Sequence, residues 1–425
     1  MVTENPAAES VESFRLRARA WLAGNMPRLA EGEGGRKTAE DEDWLRAREL
    51  QRRLYEGGFA GICFPREYGG LGLGPAHQRA FTEEADGYEM PLLLNIPTFA
   101  ICAATILDMG SEDQKRERIG AAIRGEEVLC QFLSEPSGGS DLAGLITRAD
   151  RDGDSWVVNG AKTWSTWAYA ADWALCLART DWDAPKHRGL TMFLIPTKAP
   201  GVTMRRVRMV DGSDEFCEEF FDNVVLPASA VVGEVNDGWR VASRQLVHEK
   251  TAVGGGSPYV SGRLRHGGLR WEDLPEVARV TGRTDDPAVR EEIGEWVAMS
   301  RVRDQLIERV SRSIEGGVLP PAATAFMRLF SAESAQAAND AMLRIAGPAA
   351  VVGGGDEPGL GRTVGVRQLM RQESSLGGGS TEISRNIISE RVLGMPREYA
   401  PDRGVPFREV RRGGGADDRN TKRTR

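Results

Sequence analysis

Residues 132–141, which read FLSEPSGGSD, form the first segment whose residue types could support chemistry. The segment leaves an apolar, strand-like stretch and combines serines with two adjacent glycines. Free backbone N–H groups at glycines, together with serine hydroxyls, can hold an anion. An ordinary polar surface turn has the same composition. The segment alone therefore predicts either an anion-binding loop or a simple turn.

A second glycine cluster, GGGST at residues 377–381, directly precedes the helical pattern EISRNIISERVLG. Free N–H groups at a helix N-terminus can bind a phosphate, although an ordinary loop followed by an N-cap has the same residues. Neither cluster has the GxGxxG or GxxxxGK spacing. A Rossmann dinucleotide domain and a P-loop NTPase are therefore both disfavoured.

Composition narrows the class of protein. The 425 residues are 40% hydrophobic and 28% charged, with a formal net charge of −7, so the chain has the make-up of a globular protein of several domains. It lacks the positive field that nucleic-acid binding requires. No apolar run approaches the roughly 20 residues of a membrane span, and the acidic, polar N-terminus is unlike a signal peptide. We expect a cytoplasmic enzyme that binds no nucleic acid.

Cysteines and histidines are spaced too widely to predict a metal centre. The five cysteines form no CxxC pair, and no two of the four histidines lie four residues apart. Neither a zinc site nor a dense disulfide framework is indicated. We expect no metal, and reduced core thiols at Cys63, Cys102, Cys130, Cys176 and Cys217.

Three regions of different hydrophobic periodicity must position these segments. Apolar residues recur at helical spacing before residue 129, as in Phe14, Ala18 and Leu22. Short runs with period 2 follow, and helical spacing then returns. We predict an α+β multidomain fold: an N-terminal all-α domain (1–128), a middle antiparallel β domain (129–237), a C-terminal α-helical bundle (238–395) and a polar, disordered tail (396–425).

Two local signals are specific enough to place turns and caps. Ser111 and Gln114 have the spacing of a capping box, which predicts a helix beginning there. Asn159-Gly160 follows an apolar run and is the strongest short hairpin signal, because both central residues of a type I′ turn need positive φ. We therefore predict a hairpin turn at residues 159–160.

Five segments in this order resemble the acyl-CoA dehydrogenase family: CQFLSEPSGGSDLAG, NGAKTWSTWAYAADW, RGLTMFLIP, EFCEEFFDNVVLPASAVVGEVNDGW and GGGSTEISRNIISERVLGMPRE. The resemblance extends from about residue 45 to residue 398. It implies FAD between the β domain and the C-terminal helices. It also implies an acyl-CoA or acyl-carrier-protein substrate, an electron-transferring flavoprotein or similar acceptor, and a homodimer or homotetramer whose neighbouring subunit completes the flavin site.

The resemblance also assigns flavin contacts to individual positions. In the family, the serine-rich loop borders the flavin ring and pyrophosphate, and the position of Ser140 also faces the CoA part of the substrate. The aromatic segment lies against the isoalloxazine, where indole supplies a flat apolar wall. The cofactor-binding positions implied in this way are Gln131, Leu133, Ser134, Gly139, Ser140, Trp164, Ser165, Thr166, Arg283, Gly347, Ser380 and Glu382.

Two of these positions depart from the commoner family pattern or have an alternative explanation. Arg283 is the one residue in GRTDDPAVREEIGEW that could replace the family's flavin contact across the subunit boundary. Trp164 could instead be a core tryptophan at the end of a strand.

The family's reaction removes the α proton of an acyl thioester with a carboxylate base, while the β hydrogen leaves as hydride to flavin N5. In many members the base immediately precedes the Gly-Thr or Gly-Ser of the C-terminal motif, where this chain has Gly378. A subset that includes isovaleryl-CoA and long-chain acyl-CoA dehydrogenases places the base on the first helix of the C-terminal domain. The matching residue is Glu249, which the resemblance makes the predicted base.

Helix geometry supports Glu249 independently, because Ala242, Leu246, Glu249 and Val253 share one helix face. Burial on such a stripe raises a carboxyl pKa toward the range of a general base, and a neighbouring lysine opposes this. That lysine is Lys250, assigned to the substrate site, where the family most often has Arg. A solvated glutamate or a structural ion pair is the alternative interpretation.

Other hypotheses stay open at this point. Without a carboxylate at position 378, the chain could be a catalytically silent partner subunit of a homologous enzyme, or a flavoenzyme acting on a carrier-bound acyl group or as an oxygenase. If Glu249 is not the base, Glu373 or a residue of a partner subunit is the next candidate. An apolar stripe on a later helix serves either an oligomer interface or the core of one subunit: Trp296, Met299, Val302 and Leu306.

Overall fold

The computed structural model describes residues 9–29, 40–253, 256–262, 274–348, 350 and 360–410. Its N-terminal region is helical. The helices are Val11–Asn25, Asp41–Glu56, Pro75–Glu84, the helical stretch Leu92–Met109, and the contiguous segments Glu112–Gln114, Lys115–Ile119 and Gly120–Ile123.

The predicted amphipathic face and capping box are both confirmed. Phe14, Ala18 and Leu22 are fully buried on one side of the first helix. Ser111 Oγ accepts a hydrogen bond from Gln114 N at 3.2 Å, and Gln114 Oε1 accepts one from Ser111 N at 3.1 Å. Two backbone N–H groups at this helix start are thereby satisfied.

The stretch Leu92–Met109 is the one described helix that is long and apolar enough to cross a membrane by length and composition, and 67% of it is buried inside the protein. Thr98 lies within it and binds the first strand at both backbone groups, with Oγ1 donating to Leu129 O and accepting from Leu129 N. The stretch is thus a core helix that joins the helical region to the sheet.

Eight strands form one sheet in the order β6-β7-β3-β2-β4-β5-β8, with β1 paired to β4. The strands are β1 Leu129–Phe132, β2 Arg148–Asp152, β3 Ser155–Thr166, β4 Trp173–Arg179, β5 Leu190–Pro196, β6 Val202–Val207, β7 Phe216–Pro227 and β8 Val231–Val232. The predicted α+β class is confirmed. The sheet is nevertheless mixed, because β1 and β2 each pair with β4 in parallel. Strand periodicity marks strands and carries no information about their direction.

The predicted hairpin at Asn159-Gly160 is wrong. Both residues lie inside β3, at a bulge where its pairing with β7 shifts register. Gly160 has φ +146°, and a Cβ atom there would lie 2.7 Å from Thr147 Cα. The glycine thus permits close approach of two backbones within the sheet. The turn between β2 and β3 is instead at Gly153, with φ +57°.

The C-terminal region returns to helices: Gly238–Val253, Leu274–Val280, Pro287–Glu315, Thr324–Ala346, Leu360–Met370 and Thr381–Ile387. The predicted stripe of Pro287–Glu315 serves mainly this region's own core. Trp296 is buried there with Met299 packed beside it, and Leu306 packs into a neighbouring cluster. Val302 stays exposed, so most of the stripe is core.

Part of the predicted disordered tail is ordered. Residues 396–410 continue from the last helix, and Phe407 is 1% exposed. The Arg179 guanidinium carbon lies 3.4 Å from the centroid of the Phe407 ring, and Phe407 N donates to Ala184 O. One aromatic anchor in a polar segment was missed because no periodicity accompanies it. Residues 411–425 lie outside the described residues.

Candidate active site

The candidate site forms where the helix Gly238–Val253 meets the glycine-rich turn at residues 377–379. A Cβ atom built on Gly378 would lie 3.8 Å from Glu249 Oε1 and 3.6 Å from Val253 Cγ2. Gly378 has φ +69°, a conformation that favours glycine. The structure therefore brings together the two positions that the sequence singled out for the base, and one carboxylate, Glu249, faces the space between them.

The predicted stripe that carries Glu249 reaches the surface at its end. Ala242 is buried, Leu246 and Glu249 are half-buried, and Val253 is exposed. Burial raises the pKa of Glu249 above its ordinary value, while Lys250, a hydrogen bond with Gln131 and Arg328 all act to lower it. A carboxyl group with a raised pKa that still faces cations has the properties of a general base.

Arg328 was missed by the sequence reasoning and belongs to this cluster. It comes from the helix Thr324–Ala346 and is 3% exposed. Its Nη2 donates to the carbonyl oxygen of Gly377, and its Nε lies 3.5 Å from the Cβ position of Gly378. The signal that could have found it is its place as the one charged residue in the apolar run AATAFMRLF.

Gln131 connects the sheet to the helix that carries Glu249. It lies on β1 with a half-buried side chain, and Gln245 Nε2 donates to its Oε1 at 3.0 Å. Gln245 is fully buried on the same helix as Glu249, and its own Oε1 has no partner among the described residues. The predicted flavin-contacting position Gln131 thus joins β1 to the helix that carries the predicted base.

The serine-rich loop is fastened to β3 by a buried ion pair. Lys162 Nζ donates to Leu133 O at 3.0 Å and lies 3.0 Å from Glu135 Oε1. Ser134 O accepts from Thr163 N. Burial alone would raise the pKa of Glu135, but Lys162 and hydrogen bonds from Thr147 and Ile146 outweigh burial, and the net pKa is lowered. The loop is therefore rigid at its start, while Gly139 and Ser140 are exposed at its tip.

The aromatic segment lies directly beside this loop at the end of β3. Trp164 sits at a second register shift with φ +64°, and its indole is 54% exposed. Ser165 is buried, and its Oγ donates to Glu219 Oε2 at 2.9 Å. Thr166 is half-buried. The predicted positions of the loop and of this segment are therefore adjacent. The resemblance assigns both to the flavin, so they must lie side by side.

Three C-terminal positions take local roles in the structure. Ser380 is the N-cap of the helix Thr381–Ile387, with Oγ accepting from Ile383 N at 3.2 Å. Glu382 is exposed in the first turn. Lys250 reaches the glycine-rich turn, because its Cε lies 3.8 Å from the Cβ position of Gly379. Burial lowers the pKa of Lys250, and Arg391 and Arg328 act in the same direction while Glu249 opposes them.

Arg283 and Gly347 form a separate pair within the helical region. Arg283 Nη1 donates to Arg344 O at 2.7 Å and to Ile345 O at 3.0 Å, and it lies 3.8 Å from the Cβ position of Gly347. Nη2 donates to Asp286 Oδ2. Within this chain the guanidinium therefore caps the C-terminal end of the helix Thr324–Ala346.

The residues present fit FAD. The exposed Trp164 indole offers a flat apolar wall for an isoalloxazine, next to the hydroxyl of Thr166. At the loop tip, a Cβ atom on Gly138 would meet nothing within 4 Å, so the backbone is open to a close ligand. Among the described residues, no group of three or more His, Cys, Asp or Glu side chains could hold a metal ion.

Comparison with known proteins gives the same picture for the whole chain. Family models for the N-terminal, middle and C-terminal domains of acyl-CoA dehydrogenase match residues 9–126, 130–224 and 236–393. The chain is 34% identical over 396 residues to acyl-CoA dehydrogenase IpdE1 of Mycobacterium tuberculosis, covering 92% of this chain and 99% of that protein. It is 32% identical to acyl-CoA dehydrogenase FadE29 of the same organism, covering 82% and 89%.

Solved structures agree in fold. The structure named "Tcur3481-Tcur3483 steroid ACAD" superposes with a TM-score of 0.74 at 29% identity, covering 94% of this chain and 100% of that chain. The ChsE4-ChsE5 complex from Mycobacterium tuberculosis gives 0.68 at 26% identity, covering 94% and 100%. The chain therefore belongs to the acyl-CoA dehydrogenase family, whose members are FAD-dependent oxidoreductases, and it is an enzyme that dehydrogenates acyl-CoA.

Proposed function

We propose that Glu249 is the base that removes the α proton of an acyl-CoA thioester, so that the product is the α,β-unsaturated thioester. The observation that carries this proposal is the approach of Glu249 Oε1 to within 3.8 Å of the Cβ position of Gly378. Glu249 thereby faces the space that a carboxylate at position 378 would face. Burial raises the pKa of Glu249 above its ordinary value, which makes its carboxylate a stronger base.

Each residue has a defined task in this reaction. Glu249 accepts the α proton on a carboxylate oxygen, and Gln131 acts to lower the pKa of that carboxyl group. FAD, when bound, supplies the acceptor for the hydride that leaves Cβ. The serine-rich loop from Leu133 to Ser140 and the Trp164 segment are the proposed surface for it. An electron-transferring flavoprotein or a similar acceptor then removes the electrons.

The test is Glu249→Gln, which keeps the side-chain volume and removes the basic oxygen. Flavin content and thermal stability should be retained, while flavin reduction by substrate in single-turnover mixing falls by roughly 10²–10⁴ or more. Glu373→Gln, at the alternative base, is the matched control and should reduce its flavin at the parent rate. An unimpaired Glu249→Gln variant, or an impaired Glu373→Gln variant with normal flavin content, would reject this assignment.

The name of one relative supports a proposal about the substrate class. A structural relative of the same fold is named a steroid enzyme, so we propose an acyl-CoA whose acyl group carries a bulky ring system. Rates of flavin reduction should rank a ring-bearing acyl-CoA above straight-chain acyl-CoAs of similar size. A clear preference for straight chains would remove this part of the proposal and leave Glu249 as base untouched.

Assembly is the last part of the proposal. Five large apolar side chains near the C-terminus are exposed: Leu369, Leu376, Leu393, Met395 and Tyr399. We propose that they belong to a surface that another subunit covers, because contiguous exposed apolar patches mark protein–protein contacts. A homodimer or homotetramer would cover it, and so would a second, homologous chain, because two structural relatives are named as two-component assemblies.

The second candidate function is a partner subunit in such a heteromer, with reactivity completed by the other chain. Gly378, where many family members have their base, favours it. Light scattering and flavin reduction of the purified chain alone separate the two. A homo-oligomer that binds FAD and is reduced by acyl-CoA supports the self-sufficient enzyme. A chain that gains flavin or activity only with a homologous subunit supports the heteromer.

A further inference from the structure

Arg328 is a charged group that its own helix cannot satisfy. It is 3% exposed, and its Nε has no hydrogen-bond partner among the described residues. Burying a guanidinium costs free energy unless an anion or acceptors compensate. Two groups near it belong to the site described above. The carbonyl oxygen of Gly377 accepts a hydrogen bond from Nη2, and the carboxyl group of Glu249 acts on the guanidinium through its charge.

We infer that Arg328 is a positioning residue for Glu249: its guanidinium holds the turn at residues 377–379 beside the base and places a positive charge near the carboxyl group. This inference rests on the proposed function, because it assumes that Glu249 is the base. It assigns no contact between Arg328 and the substrate.

The first support is that Arg328 and Glu249 both lie close to Gly378. Arg328 Nε and Glu249 Oε1 lie 3.5 Å and 3.8 Å from the same Cβ position of Gly378. The two groups are therefore within about 7 Å of each other although they come from different helices, a range in which opposite charges in a partly buried site interact strongly. Because residue 378 is glycine, no side chain of its own comes between them.

The second line of support is the neighbouring lysine. Lys250 lies beside the same turn but carries an ammonium, which cannot offer the planar, forked donors of a guanidinium. Arg328 supplies that fork from the helix Thr324–Ala346, with Nη2 on the Gly377 carbonyl. The turn it holds contains two consecutive glycines at positive φ, Gly378 and Gly379. A fixed donor stabilises a backbone that is otherwise free to take other conformations.

The groups that face Glu249 come from four elements. Lys250 is on its own helix, Gln131 is on β1, Arg328 is on the helix Thr324–Ala346, and the thiol of Cys102 is on the segment Asn95–Ala103. Gln131 is uncharged, and burial raises the pKa of the Cys102 thiol so that it stays protonated. Among the described residues, the cationic groups that act on Glu249 are therefore Lys250 and Arg328.

Arg328→Met tests the inference through the pH profile of flavin reduction. Removing a cation that favours the carboxylate raises the pKa of Glu249, so the acid limb of the rate should move to higher pH by about 1 unit. Arg328→Lys keeps the charge and should shift the limb less while still slowing reduction at its plateau. Arg344→Met removes an arginine from the same helix, about 24 Å away along its axis, and should shift nothing.

A second measurement needs no turnover. Thermal unfolding of Arg328→Met, Glu249→Gln and the double variant forms a double-mutant cycle, and coupling predicts non-additive changes in melting temperature. If Arg328→Met does not fold, Arg328→Lys replaces it in both experiments. An unshifted acid limb, or strictly additive melting temperatures, would overturn the inference. A parent protein that no acyl-CoA reduces would instead count against the proposed function, and the cycle alone would then decide whether Arg328 and Glu249 are coupled.

Discussion

The hydroxyl of Ser165 donates a 2.9 Å hydrogen bond to the carboxyl group of Glu219 on the neighbouring strand. Ser165 is a position that the resemblance assigns to the flavin, so a buried acid lies directly beneath the proposed cofactor surface. Glu219 is fully buried, and its Oε1 has no partner among the described residues. Burial raises its pKa to about 8, against the opposing effects of Ser165 and Lys162.

This raised pKa predicts a pH-dependent stability. The folded state holds the proton more tightly than the unfolded state, whose value is near 4.5. The stabilisation is therefore fully present below about pH 4.5 and is lost as the pH rises to about 8. Glu219→Gln should remove this dependence, on the order of 2–4 kcal/mol in the free energy of unfolding across the window.

Urea unfolding at pH 5 and pH 8 measures the effect. Asp222 is an exposed carboxylate on the same strand, so Asp222→Asn serves as the control. This variant should lose as much free energy of unfolding between pH 5 and pH 8 as the parent does. If the free energy of unfolding changed equally with pH in the parent and in Glu219→Gln, Glu219 would be ionised in the folded protein.

The serine-rich loop predicts two different responses to substitution. We expect the purified protein to hold FAD noncovalently. Gly139→Val should reduce flavin content several-fold, because even a Cβ atom at this position lies 3.1 Å from Ser134 Oγ and a larger side chain keeps the ligand from the backbone. Ser140→Ala leaves that backbone intact and should lower flavin content only slightly.

Flavin absorbance per protein after gel filtration, with and without added FAD, compares these variants. Unfolding temperature of the flavin-free proteins controls for a general loss of structure. A parent that remains colourless after incubation with FAD would remove the basis of this prediction.

The sequence could predict features that depend on residues close together along the chain, such as the buried face of a helix. Phe14, Ala18 and Leu22 mark a buried face because helix geometry alone places them together. Glu249 was assigned from the family resemblance, with its place on a helical stripe as support, and its role as base stays a prediction. Arg328 could not be found in this way. Its role depends on how the helix Thr324–Ala346 packs against Glu249 and Gly377, which are remote in sequence, and one charged residue in an apolar run does not reveal its partner.

At Asn159-Gly160, by contrast, the sequence predicted a turn that the structure does not have. The dipeptide favours a hairpin in isolation, but β3 continues through it because β2 and β7 pair on either side. Long-range pairing of two strands outweighs one local turn preference. The glycine is still required, for a different physical reason.

That reason gives a stability prediction with a matched pair. Gly160→Ala should lower the free energy of unfolding by about 3 kcal/mol, because its Cβ atom would lie 2.6 Å from Thr147 Oγ1 and 2.7 Å from Thr147 Cα. Gly153→Ala, at the true turn, has φ +57° and open space around it, so it should cost only about 1 kcal/mol. Denaturant midpoints of the two variants compare them directly, and equal losses would contradict the assigned bulge.

The final prediction concerns a carboxylate introduced at Gly378, in the turn that faces the helix of Glu249. Gly378→Glu places a second acid beside Glu249, whose Oε1 is 3.8 Å from the new Cβ atom. Two carboxylates so close cannot both ionise easily, which raises the pKa of the pair. In the parent background the variant should therefore move the acid limb of flavin reduction to higher pH. It should also lose about 1–2 kcal/mol of stability, since φ is +69° at this position.

In the Glu249→Gln background, Gly378→Glu should instead increase the rate of flavin reduction. The carboxylate introduced by Gly378→Glu would then be unopposed near the Arg328 guanidinium, and it should restore flavin reduction by about tenfold over Glu249→Gln alone, within the range attributed to a positioned base. Gly378→Ala in the same background carries the backbone strain without the acid and should restore nothing. If Gly378→Glu and Gly378→Ala behaved alike there, the two positions would not face the same reacting carbon.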